Sequence, residues 1–295
     1  MTDTAIPETR NRVFVGIGLT SLGYFLFSCQ DVFIKLLVEH ITVWQILFVR
    51  SLVVLCGCLA AGGPPLVTAT WRSPIFQPML LRSFLILAAW LSYYNAARYL
   101  QLAELTTIYF AAPVIVTLLS IFLLGEKVPM LRWAAVLMGF AGVFIACDPA
   151  RLGISLPVAM VLAAAFLWGL AIVLLRKTAL RERTIIQIIL NNAFFLVFAG
   201  IPTIFLWQTP TLPQFLMLAA IGLISGIAQL ALYEGMRYAD ASIIASFEYM
   251  ALIWAFVFGY LVWGDVPRRE VFIGAALIVG AGLVIVGNER MRLRR

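Results

Sequence analysis

A few ionisable and amide side chains stand inside otherwise apolar stretches of this chain, and they are where chemistry could occur. Asp31 and Arg50 lie near opposite ends of one short connection, at nearly the same depth in two successive apolar segments. Such residues cost at least roughly 2.5–3.5 kcal/mol each at mid-bilayer, so each needs a partner or a function. The spacing predicts an ion pair, direct or linked through Gln30. That pair is either a gate that breaks during a working cycle or a fixed brace between neighbouring helices. Lys35, one turn from Asp31, could compete for it. Glu248 is the deepest acid, flanked by Phe247 and Tyr249. It could bind an amine or carry a proton, or it is a protonated core residue.

A second group is aromatic and amide. Trp90 and Tyr94 are four residues apart, as are Gln229 and Tyr233, so each pair shares a helix face. Rings with a few polar groups suit an amphipathic metabolite. The same residues would also serve as an interfacial belt or as helix packing. Trp168 and Trp254 are weaker members of this group, and Asn191-Asn192 could line a path or bond between helices. Asn95 and Glu234 occupy matching positions in the two halves of the chain, as paired gate elements or as interfacial caps. No catalytic set is expected. The single histidine, His40, falls in a connection, and Cys29, Cys56, Cys58 and Cys147 lie in apolar runs, so no metal site is expected either. A Walker-type phosphate loop is missing, so neither ATP nor another cofactor is implied.

The elements that must position these residues follow from composition. Of 295 residues, 63% are hydrophobic and only 12% charged. Mean hydropathy is +1.01. Soluble domains are roughly 45–50% apolar and 25% charged, so a soluble enzyme and a nucleic-acid-binding domain are excluded. Ten segments, each apolar all round, can be drawn at 14–36, 43–62, 79–98, 104–124, 131–147, 154–175, 186–207, 213–235, 242–263 and 270–287. Each is long enough to be a helix in lipid, whereas barrel strands would alternate. Separators include Gly62-Gly63-Pro64-Pro65 and Gly264-Asp265-Val266-Pro267. With the N-terminus in the cytoplasm, fifteen Lys and Arg fall inside and five outside, with Arg50 within a span. That bias predicts a multi-pass bacterial inner-membrane protein with both termini cytoplasmic.

The chain also repeats. Arg98-Tyr99 recurs as Arg237-Tyr238, and Leu124-Gly125-Glu126 as Trp263-Gly264-Asp265, both at an offset of 139 residues. Trp90 and Gln229 share that offset. The reading is an all-α, polytopic membrane protein of ten transmembrane helices. Its two five-helix repeats, 14–147 and 154–287, are inverted because five is odd. Inverted repeats are a recurrent architecture of secondary transporters. Gly222-x-x-x-Gly226 and the series Gly274, Gly280, Gly282 mark either helix packing or a homodimer face.

Span four and its exit read Arg98-Tyr99-Leu100, Ala103, Thr106-Thr107, Tyr109, Pro113 and Leu124-Gly125-Glu126. This resembles the A-x-x-Y…P…L-G-E stretch of the drug/metabolite transporter superfamily, in its EamA-type ten-helix members. Arg50 matches an arginine common there. The resemblance spans 14–287, and the second copy departs from it at Leu252 and Asp265. Exporters of aromatic and neutral amino acids of the YddG type are similar in architecture. The resemblance implies export of amino acids, or of similar small metabolites, by alternating access. Uptake of a nucleoside-like or vitamin-like metabolite is the alternative, and a lipid scramblase or structural membrane protein is a rival from another class. The partners implied are a small-molecule substrate and the lipid bilayer, and no nucleic acid.

Overall fold

The computed structural model describes residues 5–124, 130–147, 155–176, 182–238 and 250–293. Among them the regular structure is helical: α1 (Ala5–Leu37), α2 (Val43–Trp71), α3 (Phe76–Ala96), α4 (Leu102–Tyr109), α5 (Ala111–Leu124), α6 (Met130–Cys147), α7 (Leu156–Arg176), α8 (Thr184–Leu206), α9 (Leu212–Tyr238), α10 (Met250–Trp263) and α11 (Arg269–Leu293). In hydrocarbon every backbone polar group must be satisfied within its own segment, and a helix does that. Phe14–Leu37, Val43–Gly63, Thr184–Leu206 and Leu212–Gly235 are each long and apolar enough to cross a membrane. Phe122, Phe140, Ile204, Phe205 and Leu223 stand exposed on the outer surface, which water would disfavour and lipid tolerates.

Two expected boundaries are corrected. Gly62-Gly63-Pro64-Pro65 does not end the second helix, which runs on to Trp71. Gly63 takes a positive φ of 61° and kinks the chain there, and Pro64-Pro65 then sit where a helix start tolerates missing N–H groups. Span four is not continuous either, but breaks at Phe110 between α4 and α5. Pro113 has no N–H to offer the carbonyl of Tyr109, four residues back. The turn Gly125-Glu126-Lys127-Val128-Pro129 lies outside the described residues.

Packing follows the two halves. Helix α1 lies on α9, and α3 on α7; α2 pairs with α8, α4 with α10, and α6 with α11. Exchanging the halves turns the α1–α9 contact into α7–α3 and returns the other three pairs to themselves. The helices are thus arranged as repeated halves of a polytopic membrane fold. Close approach depends on glycine at two crossings. A Cβ on Gly142 would stand 2.7 Å from the Gly274 carbonyl oxygen, and one on Gly222 would stand 2.5 Å from Val53 Cβ. Gly226 faces Val54 and Gly280 faces Met138, so these small-residue faces are occupied within the chain.

The connections sort into two ends. At one end Gln45 Nε2 donates to the Gln208 carbonyl at 2.8 Å, and Gln208 N–H returns a bond to Gln45 Oε1 at 2.9 Å. Lys35 Nζ donates to the carbonyls of Ala97, at 3.0 Å, and Leu100, and lies 5.5 Å from the Trp263 ring centroid. Glu104 pairs with Arg268 at 3.2 Å. At the other end Ser73 Oγ donates to Glu182 Oε2 at 2.6 Å.

Candidate functional site

Arg50, on α2, is fully buried. Its Nε donates to Ser225 Oγ on α9, and its guanidinium lies over the Trp90 ring of α3, 3.9 Å from the centroid. Its Nη1 and Nη2 have no hydrogen-bond partner. Ser225 Oγ also accepts from Gln229 Nε2 at 3.1 Å. Gln229 Oε1 in turn accepts from Asn192 Nδ2 of α8 at 3.2 Å. One turn of α9 and one of α8 are therefore tied to the arginine.

Rings close the other side. Trp90 meets Tyr94 and Phe195 edge-on, with centroids 5.9 and 5.7 Å apart. Tyr93 meets Tyr94 at 5.4 Å and Tyr109 at 5.1 Å. Such T-shaped contacts fix ring planes. The break between α4 and α5 follows Tyr109, so the aromatic cluster sits at a discontinuous helix. Tyr94 Oη accepts from Gln30 Nε2 at 3.0 Å and donates to Asp31 Oδ1 at 3.4 Å.

The expected Asp31–Arg50 ion pair is therefore not formed. Tyr94 holds Asp31, while Ser225 and Trp90 hold Arg50. The two charges stand at the ends of a chain that runs Asp31, Tyr94, Trp90, Arg50. Gln30 links to Tyr94 and not to Arg50.

The repeat relates polar contacts as well as helices. Arg50 on α2 bonds a serine of α9; Asn191, its counterpart on α8, accepts from Ser83 of α3 at 3.2 Å. Trp90 and Gln229, at equal places in the two copies, both adjoin the Arg50–Ser225 pair. Tyr233, one turn beyond Gln229 on α9, accepts from Arg82 Nη2 at 3.3 Å. Arg82 is only 3% exposed. The phenol of Tyr233 on α9 and the Met79 sulfur take its charged end.

Trp168, on α7, is half-buried against the apolar core. Trp254 meets Phe25 of α1 edge-on and stacks with Phe258 of its own helix α10. Asn95 bonds the Leu91 carbonyl of its own helix at 2.7 Å, and Glu234 is half-buried near the end of α9. Glu248 and Tyr249 lie outside the described residues. Sequence reasoning missed Ser225, Ser83 and Phe195. Ser225 had one signal, its place one turn before Gln229 on the same face.

Helices in repeated halves, a broken helix and a buried polar cluster between the halves define a polytopic transporter. The family comparison gives the same class. A model of the EamA-like transporter family matches residues 14–147 and 155–287, and the chain belongs to that family. It is similar to an S-adenosylmethionine uptake transporter of Rickettsia bellii, 24% identical over 95% of this chain and 96% of the relative. It is also similar to a riboflavin transporter of Vibrio cholerae, 28% identical over 86% of this chain and 85% of the relative. A solved crystal structure with 20% identity covers 98% of this chain and 99% of its own at a TM-score of 0.61, a likeness of fold alone. The chain is a transporter and not an enzyme.

Proposed function

We propose that this protein is a secondary carrier for a small amphipathic metabolite with a planar ring. The observation that carries the reading is the ring cluster of Trp90, Tyr93, Tyr94, Tyr109 and Phe195 beside the buried guanidinium of Arg50. Flat faces accept a flat ring, and the few polar groups around them orient it. Residues 14–147 and 154–287 act as the two moving halves and rock about this cluster in alternating access. The protein lies in a bacterial inner membrane with both termini cytoplasmic, as the charge bias implies.

Uptake of a nucleoside-like or vitamin-like ring compound is supported by the relatives, two of which are named for S-adenosylmethionine and riboflavin. Export of aromatic or neutral amino acids is the second reading. It is favoured by the placement of opposite charges, Asp31 and Arg50, on either side of Tyr94 and Trp90. Both share the ring.

The test is counterflow in liposomes reconstituted with the full chain. The panel is riboflavin, S-adenosylmethionine, tryptophan, alanine and a sugar. Saturable exchange of one or more ring-bearing compounds, lowered at least tenfold by Tyr94→Ala, is expected. Exchange of the sugar or alanine in preference to every ring compound would overturn the reading.

A further inference from the structure

We infer that the Nη1–Nη2 edge of Arg50 is the docking point for a carboxylate of the transported molecule. The inference rests on the ring-compound reading and narrows it. A guanidinium has a face and two usable edges. Here Trp90 covers the face at 3.9 Å. The Nε side is committed to Ser225. The remaining fork carries two donors with no partner in a side chain that is 0% exposed.

Among the described residues no acid meets that fork. Asp31 is the acid nearest along the connected side chains, and the Tyr94 hydroxyl holds it. Gln229 donates to Ser225 and accepts from Asn192, whose Nδ2 also donates to the Ile188 carbonyl. Two parallel N–H donors in one plane match the two oxygens of a carboxylate, and such bidentate pairs are stronger and more directional than single bonds. The guanidinium lies over Trp90, which adjoins Tyr94, so an acid group on the fork brings its attached ring to the same aromatic cluster. A cation over the indole would also order the approach, because the indole face stays occupied and only the fork is offered. In the described state the two nitrogens are covered, so the carboxylate reaches them when α2 and its neighbours separate on opening.

The experiment measures binding to the detergent-solubilised full chain, by ligand-induced thermal shift and by competition. Tryptophan is compared with tryptophanamide and tryptamine, S-adenosylmethionine with its decarboxylated form, and riboflavin serves as a ring without a carboxylate. Loss of the carboxylate should weaken binding at least roughly tenfold, as expected for a hydrogen-bonded charged group. In Arg50→Gln that ratio should fall to near one. Arg50→Lys, which keeps the charge and loses the fork, serves if the glutamine variant does not fold, and should reduce the ratio severalfold. A ratio near one in the unmodified protein, or a ratio unchanged in a folded Arg50 variant, overturns the inference. Riboflavin binding with no preference for carboxylates would overturn it and leave the ring reading standing. Absence of binding by every ring compound would overturn both.

Discussion

Glu104 Oε1 accepts from both Nε and Nη2 of Arg268, at 3.3 and 3.2 Å. This pair bolts α4, in the first half of the chain, to the start of α11 in the second. Lys35 acts at the same end, tying α1 to the carbonyls after α3. A transporter that opens this end must loosen such braces, so their strength sets part of the balance between states.

Because the pair is partly buried and doubly hydrogen-bonded, its coupling should be near the top of the range for accessible ion pairs, about 1 kcal/mol. A double-mutant cycle with Glu104→Gln and Arg268→Gln, read by thermal unfolding in detergent, should return that coupling. It corresponds to roughly a fivefold change in an equilibrium. Purely additive single effects would mean that the brace contributes nothing.

The Arg50–Trp90 contact gives a second prediction. A desolvated cation over an indole is worth about 2 kcal/mol or more, and no acid of the described residues pairs with Arg50. Trp90→Phe keeps a ring under the guanidinium and should lose about 1 kcal/mol of stability. Trp90→Leu removes the π face and should lose about 2 kcal/mol more than the phenylalanine variant. Equal melting temperatures for the two variants would show that Trp90 acts there only as apolar bulk.

The spans were legible because each is apolar all round and separated by charges or Pro and Gly. What periodicity could not deliver is where a helix stops once lipid no longer decides. Pro64-Pro65 looked like a terminator, yet Gly63 absorbs the turn and the helix goes on. Pro113 looked like one residue of a family pattern, yet it breaks the span at Phe110. The 139-residue offset equated Trp90 with Gln229, and both adjoin Arg50 in the fold. The depth argument placed Asp31 level with Arg50 but could not see that Tyr94 stands between them. Partner choice depends on rotation about each helix axis, which an all-apolar helix does not encode in its pattern. Arg82 shows the same limit: its place near the end of a span does not reveal that Tyr233 of α9 takes its charged end.

Glycine substitutions should separate packing from propensity. A Cβ on Gly274 would lie 2.5 Å from the Gly142 carbonyl oxygen and 2.8 Å from Ala146 Cβ. Backbone cannot yield there, so Gly274→Ala should destabilise by about 1–3 kcal/mol. Gly57, inside α2, meets nothing within 4 Å. Gly57→Ala should be neutral or stabilise by roughly 0.5–1 kcal/mol. Thermal unfolding of the two variants side by side checks both signs, and a stable Gly274→Ala would mean that α6 and α11 are not in close contact.

Sidedness can be tested from the fold without knowing the substrate. Gln45 bonds the α8–α9 connection, and Glu104 bonds Arg268. These contacts put the connections after α1, α3, α8 and α10 at one end of the bundle. The Ser73–Glu182 bond puts the α2–α3 and α7–α8 connections at the other. Only the absolute direction then remains, and the proposed orientation, drawn from the lysine and arginine bias, puts the Ser73 end in the cytoplasm. His40 and Arg72 are both exposed and lie at opposite ends. In a variant lacking the native cysteines, His40→Cys should react with a membrane-impermeant maleimide in spheroplasts, which have lost the outer membrane. Arg72→Cys should react only after the inner membrane is permeabilised. The reverse pattern would invert the topology and exchange the inward and outward roles of the Glu104–Arg268 brace. Labelling of both sites before permeabilisation would break the link between the observed contacts and a single membrane crossing per helix.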